Sequence, residues 1–176
     1  MPTQRGPITE IDWQREKDGT EWGYVFRRHI DRRPYTAVCT VRCIDDGFWK
    51  SFKGYVREYL SYVGIDNIDP LTFAGGALVF SSPQMEADRD FVLRNVGISR
   101  AHHGMKRIKL FTHHDCAFAG GFERFGRDEE NEFEYHRREL MKAHRVIHTA
   151  YPDLDIKLHF IDCRGVRRIR FNPTLV

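Results

Sequence analysis

Hydrophobic positions along the chain switch between short β-branched runs and longer stretches of helical period. YTAVCTVRC (35–43) is a β-branched run and predicts a buried strand. In the segment 48–65, Phe48, Phe52, Tyr55, Val56, Tyr59, Leu60 and Val63 recur at helical spacing, which predicts an amphipathic helix ending near Gly64. DPLTFAGGALVF (69–80) predicts a second strand, interrupted at Gly75 and Gly76. Ser82 as a cap, Pro83 at the first helical position and acids in the first turn predict a helix over 81–99. MKRIKLFTH (105–113) predicts a third strand. The stretch 126–152 reads as a long helix: its five acids from Asp128 to Glu134 favour the positive end of the dipole, and Phe133, Leu140, Met141, Val146 and Ile147 form its buried stripe. DIKLHFID (155–162) predicts a fourth strand.

Strands alternating with helices predict an α/β fold: a mainly parallel sheet of four to five strands flanked by helices. Residues 35–176 read as one such domain. Residues 1–34 are polar, with a turn signal at KDGT and a proline at 34, and read as an N-terminal arm. Ligand sites in open α/β sheets lie at the carboxyl ends of strands, beside the point where strand order reverses. Residues just past each strand are therefore the ones to search for chemistry.

Composition changes this picture little. Of the 176 residues, 41% are hydrophobic and 30% charged, as in a globular chain with one sizeable core. A formal net charge of +3 is too small to call for a nucleic-acid partner. The arginine-dense RRHIDRR (27–33) and RGVRRIRF (164–171) read as solvated or salt-bridged faces. No stretch is long and apolar enough to span a membrane, and the first residues lack the apolar core of a secretory signal. A cytoplasmic location follows as the expectation, with reduced thiols. The four cysteines, Cys39, Cys43, Cys116 and Cys163, are then metal ligands or buried thiols rather than disulfides.

The candidate chemistry lies at two strand exits. The first strand ends in CIDDG, with Cys43 and Asp45. The third ends in THHDC, with His113 and Cys116. If these strands are neighbours, two thiolates and an imidazole converge, and soft sulfur with nitrogen suits zinc. Three protein ligands plus an open position is the ligand count of a catalytic zinc site. The remaining candidates have plainer readings. Cys39, four residues before Cys43 on the same strand face, is a core thiol. Cys163 follows the fourth strand as packing or a spare ligand. His114 and Asp115 lie in the turn, exposed or supporting the ligands. His102 and His103 belong to the loop entering the third strand. Asp46 forms a turn or caps the following helix. Neither AGG segment matches a phosphate loop.

In this order of motifs the chain resembles the beta-class carbonic anhydrases. That family carries Cys-x-Asp-x-Arg after its first strand, an Arg-Asn-Ala-Gly-type loop after its second, and His-x-x-Cys followed by Gly after its third. Here CIDDG, TFAGGALVF and HHDCAFAGG stand in the same sequence, and HFIDCRG fits the fourth strand. The resemblance implies that Cys43, His113 and Cys116 bind Zn2+, that Asp45 is the dyad aspartate, and that strands one and three lie side by side. It also implies hydration of carbon dioxide or a related small electrophile through zinc-bound hydroxide, with bicarbonate as product, in a homodimer or higher homo-oligomer. Two positions depart from the pattern. Gly47 stands where the dyad arginine belongs, and Thr72-Phe73 replaces Arg-Asn. Without its arginine, Asp45 has a second option: to close the metal as a fourth ligand, giving a structural, non-catalytic zinc site. Arg42, Arg94 and Arg164 are candidates to replace the lost charge, and strand alternation points Arg42 away from Cys43.

Overall fold

The structure, a computed structural model, describes residues 38–60, 68–172 and 174. The expected N-terminal arm and the expected helix end near Gly64 lie outside the described residues. Five strands form the sheet: β1 (Val38–Arg42), β2 (Ile68–Thr72), β3 (Arg107–His113), β4 (Asp155–Asp162) and β5 (Gly165–Ile169). Their order is β2-β1-β3-β4-β5; all pairings are parallel except the antiparallel β4–β5 ribbon. Strand order therefore reverses between β1 and β3, and the crevice beyond their carboxyl ends is the favoured ligand position.

Helices cover both faces, and residue alternation decides which. Cys39, Val41, Ile108, Leu110, Leu158 and Phe160 turn to one face, where they build the main core with Val92 and Val96 of α3 (Glu86–His103) and Leu140 and Ile147 of α4 (Glu129–Ala150). Phe111 and Ile161 turn to the other face and meet Phe52 of α1 (Trp49–Gly54). That helix continues as a π-helical stretch, Tyr55–Leu60. Helix α4 starts as the sequence predicts: the Asp128 side chain accepts from the N–H groups of Glu130 and Asn131, with acids in the first turn.

Two expected elements differ. ALVF is not strand: Leu78–Ser81 forms a one-turn helix, α2. Gly75 (φ +79°) and Gly76 (φ +52°) turn the chain off the sheet after β2. Ser82 and Pro83 do not start the next helix. Met85 is its N-cap, with no side-chain bond, and the Ser82 hydroxyl instead donates to Glu139 Oε2 of α4 at 2.6 Å. His102 and His103 belong to the last turn of α3, and His103 Nδ1 lies 2.7 Å from Asp69 Oδ2. The segment read as a charged face, 164–171, supplies β5: Arg167 pairs with buried Asp162 at 2.6 Å while Ile169 enters the core.

Candidate metal centre

The parallel β1–β3 pairing, with Val41 opposite Leu110, brings the two strand exits alongside each other. Cys43 leaves β1, His113 closes β3, and Cys116 follows a tight turn in which Asp115 takes a positive φ of 54°. One ligand atom from each of Cys43, His113 and Cys116 lies within 4.8 Å of the others, a group that could hold a metal ion. His113 and Cys116 are buried and Cys43 is half-buried.

The geometry of His113 fits such an ion. Its Nδ1–H donates to the His114 carbonyl at 2.7 Å, which fixes the tautomer. Its Nε2 is buried without a hydrogen-bond partner. A ring nitrogen left unpaired beside two sulfurs is a donor set in want of a cation, because an unmet buried polar atom is costly.

The three groups shift one another's protonation. The Cys116 thiol hydrogen bond holds the Cys43 pKa well below the usual thiol range, against the opposing effect of burial; His113 and the Asp45 and Gly75 N–H groups add to it. Cys116 moves the opposite way, raised first by its bond to Cys43 and then by burial. Burial works against a charged His113, but the neighbouring Cys43 sulfur and the His114 carbonyl carry its pKa upward. A pocket that draws one thiol toward the anion is already prepared to coordinate a metal.

The loop after β2 shapes the centre from one side. A Cβ on Gly76 would lie 2.5 Å from the Cys43 nitrogen, and its φ of +52° favours glycine, so backbone packs on backbone here. From the other side comes Glu132 of α4, which is 1% exposed. Its Oε1 accepts from the Asp115 N–H at 2.7 Å and its Oε2 from His114 Nδ1 at 2.5 Å. Helix α4 thereby braces the turn that carries both His113 and Cys116. His114 and Asp115 are thus tied down rather than simply solvated.

Asp45 stands outside the three-residue group. Its Oδ1 accepts from the Gly47 N–H at 2.8 Å, and it lines a small open cleft with Arg42, Cys43, Phe48, Phe52 and His113. Arg42 is not turned away from the site as alternation predicted. Cys43 lies past the strand end, and Arg42 shares the β1 face on which α1 packs. The other replacement candidates lie apart: Arg164 pairs with Glu129 at 2.6 Å, and Arg94 sits on the exposed side of α3. Cys39 is a core thiol, fully buried, its pKa pushed by burial up to about 12. Cys163 is exposed and Asp46 contributes only its carbonyl, which accepts from Trp49 N.

A sequence family described as "Putative carbonic anhydrase" matches residues 34–169. The chain belongs to this family. The match spans all five strands and the whole Cys–His–Cys group. Among solved structures, the fold is similar to a carbonic anhydrase from Streptococcus mutans, at 20% identity over 82% of this chain and 88% of that one, with a TM-score of 0.46. A beta-carbonic anhydrase from Trichomonas vaginalis is 13% identical over 82% of this chain and 87% of its own, at a TM-score of 0.47. The apo form of a carbon disulfide hydrolase is 15% identical over 76% and 79%, at 0.42. No curated protein matches the sequence. No helix among the described residues is long and apolar enough to cross a membrane.

The three residues gathered at the centre are the ones that stand at the two strand exits in the sequence. Sequence reasoning passed over Glu132. The signal was present, since Glu132, His136, Leu140, Ala143 and Ile147 fall on one buried stripe of α4. An acid inside that stripe, rather than on the dipole-facing surface, marks a structural partner.

Proposed function

We propose that the protein is a zinc enzyme that adds water to carbon dioxide or a related small electrophile, with Cys43, His113 and Cys116 as the metal ligands. The observation that carries this reading is the gathering of two sulfurs and an unpartnered buried imidazole nitrogen at the mouth of a cleft. A zinc ion held there would lower the pKa of a water and supply a nucleophile near neutral pH. In the overall reaction one C–O bond forms between water and carbon dioxide, giving bicarbonate and a proton that leaves to solvent.

The chain's own residues supply the rest. Phe48, Phe52, Phe111 and Ile161 line the cleft, an apolar wall suited to a neutral, apolar reactant. The two cysteines bring negative charge that offsets the ion's, so the site depends on nearby groups to favour the deprotonated nucleophile. Asp45 is the group we assign to accept that nucleophile's hydrogen bond and orient it. Its carboxylate is held by the Gly47 N–H and stays out of the ligand group, which supports a position left open for water over a metal closed by Asp45. We also take the active form to be a homodimer or larger, because Ile44 (60% exposed) and Trp49 (38%) leave apolar surface uncovered near the cleft.

Two measurements test this. Metal analysis of purified protein should give one zinc per chain, and Cys43→Ser should lower it sharply. Stopped-flow carbon dioxide hydration, followed from neutral to strongly basic pH, should show wild-type activity that Cys43→Ser lacks. Wild type no faster than the variant at every pH ends the enzymatic reading. One zinc per chain with no activity would point instead to a structural metal.

A further inference from the structure

The metal chemistry leaves Arg42 without a task, although its charge lies beside the centre. Its guanidinium lies against two α1 side chains that stack on each other, with Cζ 4.2 Å from the Trp49 ring centroid and 4.9 Å from that of Phe52. A guanidinium held against aromatic rings makes its hydrogen bonds through its in-plane edges. Nη1 uses one edge to donate to the Cys43 carbonyl at 3.1 Å. Nε is buried and has no hydrogen-bond partner. No carboxylate of the described residues pairs with this arginine. Asp45, the acid lining the same cleft, is engaged with Gly47. A cation with an unused donor, lining an apolar cleft next to Cys43, has the chemistry to receive a small planar anion. The Nε edge of a guanidinium presents two parallel N–H groups, matched to two oxygens of one trigonal centre.

We propose that Arg42 is the anion-binding residue of the cleft, holding bicarbonate or a similar trigonal oxyanion by its Nε edge beside the Cys43 end of the metal centre. This deepens the hydratase reading and rests on it. The reactant is neutral and apolar, and the product carries the charge that Arg42 recognises. The position also gives a physical reason why Gly47 is tolerated, since a positive charge reaches the cleft from β1 rather than from the turn after it.

The test uses the full chain loaded with cobalt(II) in place of zinc, whose visible spectrum reports ligands near the ion. Bicarbonate is titrated at fixed pH and ionic strength into wild type, Arg42→Met and Arg42→Lys. The proposal expects the Met variant to raise the bicarbonate Kd at least tenfold with cobalt stoichiometry unchanged. The Lys variant, with charge but no fork, should fall between. Equal Kd values for wild type and Arg42→Met overturn it, as does a wild type that binds no bicarbonate. Loss of cobalt from both variants would also overturn it, because Arg42 would then serve only to hold the Cys43 backbone. A wild type that takes up no cobalt refutes the metal reading alone; calorimetric titration of bicarbonate into wild type and Arg42→Met then decides the arginine separately.

Discussion

Gly76 shows how much of this site depends on a side chain that is missing. Its backbone lies against the Arg42–Cys43 peptide, and a Cβ there would sit 2.5 Å from the Cys43 nitrogen and 2.6 Å from the Arg42 carbonyl carbon. Neither atom can yield without moving the end of β1. Gly76→Ala should therefore cost at least about 2 kcal/mol, a fall of roughly 4–8 °C in Tm for a chain of this size. Zinc retention in a chelator titration should weaken with it, since Cys43 moves too. Gly54→Ala is the control: nothing lies within 4 Å of its added Cβ, and it ends a helical stretch, so its Tm should hold or rise. Equal behaviour of the two variants would mean that the close approach has no energetic weight. At this scale the sequence was readable where chemistry is carried by residue type and spacing. Cys43, His113 and Cys116 stood at two strand exits. It was not readable where the role is set by a neighbour distant in sequence. Gly76 looked like any turn glycine, and Arg42 looked misdirected because alternation describes a strand and says nothing of the residue just past its end.

Among the elements, α4 braces the turn that carries two of the three gathered residues. The 113–116 turn has no sheet partner for most of its backbone, and Glu132 reaches it from the helix with both carboxylate oxygens, to Asp115 N–H and His114 Nδ1. Removing that carboxylate would leave a backbone donor and an imidazole with lost partners. Glu132→Ala should destabilise by about 2–4 kcal/mol, taking roughly 1–2 for each orphaned donor. Glu132→Gln, which keeps an acceptor for one of them, should cost less. Thermal melts of the two variants give the ranking, and chelator titration should show both releasing zinc more readily than wild type. Retention of zinc at wild-type strength by Glu132→Ala would mean that the turn holds its own geometry. The element pattern itself was legible for β1, β3, β4 and α4, where long periodic runs carry the signal. It failed at Leu78–Ser81, because four apolar residues have no period that separates a buried strand from one helical turn. It failed at Ser82 for a different reason: local capping chemistry competes with a long-range acceptor, Glu139, that local sequence cannot reveal.

Across the described domain, the two faces of the sheet share one electrostatic weakness. His136 lies on the core-facing side of α4, fully buried, with neither ring nitrogen hydrogen-bonded; His159 lies on the opposite face of the sheet, stacked on Phe111, its Nε2 3.2 Å from the Tyr55 hydroxyl. Burial pulls both pKa values down to about 3; His113 adds to the effect on His136 and Lys109 to that on His159. An unfolded histidine titrates near 6.5, so as pH falls from there toward 3 the unfolded chain binds protons that these folded sites refuse. The direction follows from that difference. Their contribution is complete above about pH 6.5 and declines through the acid range, by about 1.4 kcal/mol per pH unit for each histidine once its unfolded form is fully protonated. Urea unfolding at fixed temperature, run from pH 7 to pH 4 on metal-free protein, should show stability falling steeply below pH 6. His136→Leu removes one of the two proton sinks from the unfolded chain and should reduce the slope by about 1.4 kcal/mol per pH unit. A wild-type curve that stays level between pH 6 and 4, or a variant that falls as steeply, would mean that these rings reach solvent or a proton partner in the folded state. Because the two histidines sit on opposite faces, acid attacks both cores at once, and the sheet that aligns Cys43 with His113 should be lost in a single transition rather than piecewise.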